Sequence, residues 1–124
     1  MTWTRVCAVE DVEVNTVKVF DMDGINILIA NYGTGFRALP PVCPHMEEPL
    51  VKSGIVINCV LTCSKHLWAW DLTTLEMLGE TEKPLKFYDI KEVDGALFVD
   101  VAEELLYDFE SEDELDDGFF FGQS

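Results

Sequence analysis

The pattern of apolar and polar positions along the chain predicts an all-β protein. Apolar residues alternate with polar ones or form short blocks, as in strands that are half or fully buried in a sheet. The predicted strands cover residues 5–9, 12–20, 25–32, 56–61, 85–90 and 97–101, and turn residues such as Asp94-Gly95 separate them. No internal repeat and no long amphipathic helical pattern occurs in the first hundred residues. A small antiparallel β-sandwich is the expected fold.

Composition narrows the classes of partner. Twenty-four acidic residues against eight basic ones give a formal charge of -16, which repels phosphate backbones and anionic lipid headgroups and favours a partner with a basic face. Nucleic acid and membrane partners are therefore not expected. No stretch of the sequence reads as a signal peptide or a membrane span, so a cytoplasmic location is predicted.

The acidic residues divide the chain into two parts. Residues 1–102 carry the strand pattern and are long enough for one domain with its own core. Residues 103–117 hold nine acids and no base, and Phe residues occupy positions 119–121. We expect the tail, residues 103–124, to be a loose solvated end. The alternative is an acidic and aromatic segment that docks on a basic partner or folds back over its own domain.

Two short motifs carry the candidate chemistry. Cys-x-His occurs at residues 43–45 and Cys-x-x-His at residues 63–66, and they contain the only two histidines. Two thiolates and two imidazoles can hold either a zinc ion or a two-iron, two-sulfide cluster. Structural zinc sites usually pair Cys with Cys and His with His, whereas here each arm supplies one of each, which favours the cluster. A zinc-stabilised protein-binding module is the alternative of another class.

With this separation the motifs resemble the two cluster-binding loops of the Rieske family, and the resemblance extends over about residues 1–102. It implies a Rieske-type β-sandwich that binds one [2Fe-2S] cluster. It also implies that Cys43 and Cys63 bind the inner iron while His45 and His66 bind the outer iron. The remaining cysteines, at positions 7 and 59, are interpreted as packing residues.

The resemblance also nominates residues for the cluster rim or the partner contact. They are Met46, Glu47, Glu48, Leu67, Trp68 and Pro84. Pro84 belongs to residues 82–85, which resemble the proline-bearing third loop that covers the cluster in this family. A simple turn before the next strand is an equally good interpretation. Trp68 and Trp70 share one face of a strand, where burial is the more frequent fate of a large aromatic residue.

The second shell of the motifs predicts a low reduction potential. High-potential members of the family carry a hydroxyl residue and a Tyr where this chain has Trp68 and Trp70, and a disulfide at positions that here resemble Glu48 and Lys65. Fewer hydrogen bonds to the cluster stabilise its reduced state less. The potential should lie near the low end of the family's range of roughly -150 to +300 mV.

The function implied by the resemblance is that of a ferredoxin, an electron carrier and not itself an enzyme. It would pass single electrons from a flavin-containing NAD(P)H reductase to an oxygenase, both with basic docking surfaces. The residues around His66 are closest to ferredoxins of multicomponent aromatic or alkene monooxygenases, which predicts a diiron monooxygenase of aromatic hydrocarbon catabolism as the partner. A ring-hydroxylating dioxygenase ferredoxin and the small subunit of a nitrite-reductase-type complex are the alternatives.

Overall fold

The computed structural model describes residues 3–22, 24–44, 48–65, 67–101 and 104–107. Ten strands lie within these ranges: β1 Trp3–Ala8, β2 Thr16–Met22, β3 Ile25–Asn31, β4 Phe36–Leu39, β5 Gly54–Ile57, β6 Val60–Cys63, β7 Trp68–Asp71, β8 Met77–Leu78, β9 Asp89–Val93 and β10 Ala96–Asp100. A 3-10 turn at Val9–Asp11 and a short helix, α1, at Leu50–Ser53 complete them. The described part contains no helix long and apolar enough to cross a membrane.

The strands form three antiparallel sheets, in the orders β1-β10-β9, β2-β3-β4 and β5-β6-β7-β8. A single bridge between Ala38 of β4 and Tyr88 joins the first two sheets, through a 2.8 Å bond from the Tyr88 N–H to the Ala38 carbonyl. The third sheet is a meander whose strands are all neighbours in sequence. The predicted all-β, antiparallel architecture is confirmed.

Two apolar cores meet at β3. The loop core contains Leu28, Ala30, Leu39, Cys43, Leu50, Val56, Leu61, Cys63, Trp68, Trp70, Leu72 and Leu85. The terminal core contains Cys7, Val12, Ile27, Ile29, Ala38, Tyr88, Leu97 and Val99. Because successive side chains of a strand point to opposite faces, residues 28 and 30 of β3 enter the loop core while residues 27 and 29 enter the terminal core. All four are fully buried.

Three of the six predicted strands match the observed ones to within one or two residues at each end, and the other three differ more. The strand expected at residues 56–61 is a hairpin, because Asn58 and Cys59 turn the chain with positive φ angles of 53° and 65°. The strand expected at residues 12–20 begins only at Thr16, after the left-handed Asn15. The strand expected at residues 85–90 begins at Asp89.

The hairpin predicted at Asp94-Gly95 is confirmed. Both residues have positive φ, as a two-residue turn between β9 and β10 requires. Residues 104–107, however, are not the loose end that was expected. The N–H of Leu105 donates to the Tyr88 hydroxyl at 2.9 Å, and the Lys86 N–H donates to the Tyr107 hydroxyl at 3.0 Å. Residues 108–124 lie outside the described residues.

Candidate functional site

The first candidate loop, residues 43–48, is closed at its base by backbone bonds. The Leu50 N–H donates to the Pro41 carbonyl at 2.9 Å, and the Cys43 N–H donates to the Glu48 carbonyl at 3.0 Å. Between these bonds Val42 and Pro49 form an isolated bridge. This narrow ladder, the neck of the first loop, fixes Cys43 at the point where the loop leaves the core. The Cys43 side chain is fully buried.

The second candidate loop, residues 64–67, is the connection between β6 and β7. Cys63 is the last residue of β6 and pairs with Trp68, the first residue of β7. The Leu67 N–H donates to the Cys63 carbonyl at 2.7 Å, and Leu67 has a positive φ of 62°, which turns the chain back into β7. Cys63 is fully buried, so each candidate loop begins from a buried cysteine in the loop core.

Ser53 connects the two loops and was not recognised in the sequence. Its hydroxyl donates to the Glu48 carboxylate in the first loop, and its carbonyl accepts the Ser64 N–H of the second loop at 2.8 Å. The side chain is only 4% exposed, so these bonds are largely protected from competition with water. A serine at the end of a helical turn carries no signal of such a role, because the contact joins residues that only the folded chain brings together.

Residues 82–85, the third candidate loop, are held against the meander. The Trp70 indole N–H donates to the Lys83 carbonyl at 2.9 Å, and Leu85 is buried in the loop core with the two cysteines. Nearby, the Thr81 hydroxyl accepts the Ala69 N–H at 2.7 Å and donates to the Ala69 carbonyl at 3.0 Å. The segment is thus more than a simple turn before a strand.

The predicted rim residues fall in different environments. Leu67 is 74% exposed and Pro84 is also exposed, as a contact surface requires. Glu48 is half-buried, and its carboxylate accepts a hydrogen bond from the Ser53 hydroxyl. This bond holds the side chain within the protein, where it is less available to a partner. His45, Met46, Glu47 and His66 lie outside the described residues.

Trp68, which was predicted for the cluster rim or the partner contact, is buried. Its ring is only 9% exposed and meets the ring of Trp70 edge-on at a centroid distance of 6.4 Å. Both tryptophans lie on the same face of β7, as their shared parity predicted, and the structure places that face in the loop core.

The other two cysteines are not close to this arrangement. Cys59 lies in the turn at the far end of β6, about 13 Å of extended strand from Cys63, and its thiol donates to the Tyr32 carbonyl at 3.5 Å. Cys7 is buried in the terminal core, and burial, with a smaller contribution from Asp11, raises the pKa of its thiol. The interpretation of Cys7 as a packing residue is confirmed.

The described donors fit the group implied by the motifs. Two buried thiols at the roots of two connected loops give the inner side of a cluster an apolar, water-excluding wall. In sequence, each loop then leads to one histidine. Among the residues that the structure describes, no group of three or more His, Cys, Asp and Glu side chains forms a metal site, and both histidines are outside that set.

The comparisons with known proteins agree with this geometry. The family model of the Rieske [2Fe-2S] domain matches residues 2–89. The methanesulfonate monooxygenase ferredoxin subunit of Methylosulfonomonas methylovora is 62% identical over 120 residues, which are 97% of this chain and 98% of that protein. The ferredoxin component of the alkene monooxygenase system of Xanthobacter autotrophicus is 26% identical over 97 residues, 78% of this chain and 80% of that protein.

Among solved structures, the complex of reduced oxygenase and oxidized ferredoxin in carbazole 1,9a-dioxygenase contains a similar chain. The two superpose with a TM-score of 0.70 at 23% identity, over 84% of this chain and 97% of the other. At this level of identity the similarity concerns the fold alone, and it confirms the expected type of β-sandwich.

Proposed function

Because the chain belongs to the Rieske [2Fe-2S] family, we propose that Cys43 and Cys63 hold the inner iron of its cluster and that His45 and His66 hold the outer iron. The observation that carries this proposal is the burial of both cysteines at the roots of two loops in one core. Cys59 is at the wrong end of β6 to replace either of them. When bound, the cluster supplies a one-electron centre whose imidazole ligands raise its potential above that of all-cysteine ferredoxins.

The protein is a Rieske ferredoxin, an electron carrier of a multicomponent monooxygenase system and not the catalytic component. Its own residues do three things. The loop core excludes water from the cysteine side, Ser53 keeps the two loops in register, and the exposed Leu67 next to His66 in sequence offers an apolar contact for a partner.

The partners are a flavin-containing NAD(P)H reductase that donates the electron and an oxygenase that accepts it. The net charge of -16 supports basic docking surfaces on both. Such electron-transfer encounters are small and transient, and charge steers them over distances that salt shortens. Rates of reduction and reoxidation should therefore fall as ionic strength rises.

The relative at 62% identity supports a small alkanesulfonate such as methanesulfonate as the substrate of the partner oxygenase. The aromatic substrate and the diiron centre expected from the sequence remain predictions. Oxygen consumption by the reconstituted reductase, ferredoxin and oxygenase decides between the substrates. Consumption that depends on the ferredoxin and on methanesulfonate supports the first, and dependence on an aromatic hydrocarbon alone contradicts it.

The ligand proposal is tested on the purified protein by assays of iron, acid-labile sulfide and zinc, with electron paramagnetic resonance spectra before and after dithionite. Equal iron and sulfide and a rhombic signal with a low average g value are expected after reduction. Zinc without sulfide would support the protein-binding module instead.

The variant His66→Cys tests whether His66 is an iron ligand. A thiolate in place of an imidazole adds negative charge to the cluster, so the potential should fall. Cys59→Ser is the matched control and should leave the spectrum and the potential unchanged. An unchanged potential in His66→Cys would count against His66 as a ligand.

A further inference from the structure

The last described residues, 104–107, form a strap that runs from the terminal core to the first loop. Leu105 packs against the terminal core, and its N–H donates to the Tyr88 hydroxyl at 2.9 Å. Two residues further on, the Tyr107 hydroxyl accepts the Lys86 N–H at 3.0 Å. The strap is therefore fastened by a tyrosine hydroxyl at each of two points, and each bond joins it to the segment before β9.

The Lys86 ammonium also lies over the ring of Tyr107. Its Nζ lies 5.6 Å from the ring centroid and donates to the Leu106 carbonyl. A cation over an aromatic face adds to the stability of this arrangement. Burial raises the pKa of the Tyr107 phenol, the Lys86 bond opposes this, and the neighbouring Cys43 and Tyr88 add smaller contributions in the same direction as burial.

The strap lies beside the neck of the first loop. Residues 104–107 line a cavity of 290 Å³ whose other walls are Asn26, Pro40, Pro41 and Val42. Pro41 and Val42 belong to the neck, and Cys43 follows directly in the chain. The strap therefore forms one wall of a cavity whose opposite wall is the backbone that leads into the first loop.

We propose that Tyr107 is a positioning residue for electron transfer, which fastens residues 104–107 beside the neck of the first loop and limits the access of water to the Cys43 side of the cluster. The inference rests on the proposed role of Cys43 as a ligand. Reduction adds one electron and one negative charge, and water stabilises the more highly charged state. Exclusion of water on this side therefore lowers the reduction potential.

The experiment uses the full chain with its cluster and compares the wild type with Tyr107→Ala, Tyr107→Phe and Leu106→Ala. Leu106 is the matched control, because it shares the strap while its side chain is 64% exposed. The reduction potential is measured by titration, and hydrogen–deuterium exchange is measured at the Val42 and Cys43 amides.

Tyr107→Ala should make the potential more positive and speed the exchange of these amides about fivefold, the scale set by one lost hydrogen bond. Tyr107→Phe keeps the ring but loses the acceptor for Lys86, and should shift both quantities in the same direction by less. Leu106→Ala should match the wild type.

An unchanged potential and unchanged exchange in a folded Tyr107→Ala would overturn the inference, as would an equal shift in Leu106→Ala. If Tyr107→Ala fails to fold, Tyr107→Phe decides the question in the same way. A wild type that binds no iron and sulfide would overturn the ligand proposal instead, so the two failures are distinguishable.

Discussion

The two cores of the molecule are both apolar but differ in the hydrogen bonds that surround them. On the side of the terminal core, the ladders of β1, β9 and β10 satisfy much of the backbone. In the loop core, irregular segments meet, and single side-chain bonds from Ser53, Trp70 and Thr81 hold them. The ladders stabilise the fold, whereas the side-chain hydrogen bonds hold the loops that follow Cys43 and Cys63.

The largest expected effect comes from the same substitution in each core. Cys63→Ala should abolish the cluster, because one iron loses a ligand that no neighbour can replace. Cys7→Ala in the terminal core should keep the cluster and lose only about 1 kcal/mol of unfolding free energy. Iron and sulfide assays with urea denaturation of both variants check this. Loss of the cluster in Cys7→Ala would show that the two cores do not act separately.

The next effect uses neighbouring residues of β3 that point into opposite cores. Leu28→Ala and Ile29→Ala should each destabilise the fold by about 2–5 kcal/mol, since both side chains are fully buried. Only Leu28→Ala should also speed the release of iron to a chelator under native conditions, because its cavity opens beside the cysteines. Equal release rates in the two variants would contradict the division into cores.

A smaller effect is expected at the hydrogen bond between Ser53 and Glu48, which helps to connect the two loops. Ser53→Ala removes the hydroxyl that donates to the Glu48 carboxylate, which should cost about 1 kcal/mol of unfolding free energy because this hydrogen bond is only partly buried. The potential and the g values of the reduced cluster should shift as the loops lose register. Ser64→Ala is the control, because Ser64 is exposed and its described bond uses the backbone N–H. A spectrum of Ser53→Ala identical to that of the control would argue against the role of Ser53 in positioning the two loops.

The smallest effect concerns alkaline pH. Burial raises the pKa of Tyr88, and Glu104 adds to the rise while the bond from Leu105 opposes it. Above about pH 10 the unfolded chain loses phenolic protons that the folded chain retains. This contribution to stability is complete below that pH and is lost as pH rises through the folded-state pKa. In Tyr88→Phe, thermal melting temperature should fall less steeply between pH 10 and 11.

Much of the fold follows from local patterns. The continuous apolar run of β3 and the Asp94-Gly95 turn were predicted correctly, because burial and positive φ leave direct marks on residue choice. The turn at Asn58 and Cys59 was missed, since cysteine is not a residue that usually marks a left-handed position. An apolar run that crosses such a turn reads as one strand.

Only the part of the site that consists of the Cys and His motifs could be predicted from the sequence. The positions of Cys43 and Cys63 follow from their spacing to the histidines, and the structure places both in one core. The role of Ser53 and the fastening of Tyr107 could not be foreseen, because each depends on contacts between segments distant in sequence. The burial of Trp68 depends in the same way on which face of β7 the core occupies.

The pairing of β1 with β10 has a consequence for biosynthesis. Trp3 is opposite Asp100 in this ladder, so β1 leaves the ribosome almost one hundred residues before its partner strand. The meander from β5 to β8, in contrast, pairs only neighbours in sequence and can assemble while the rest of the chain is still being made. The hairpin that bears Cys63 can therefore form during synthesis before the terminal core closes.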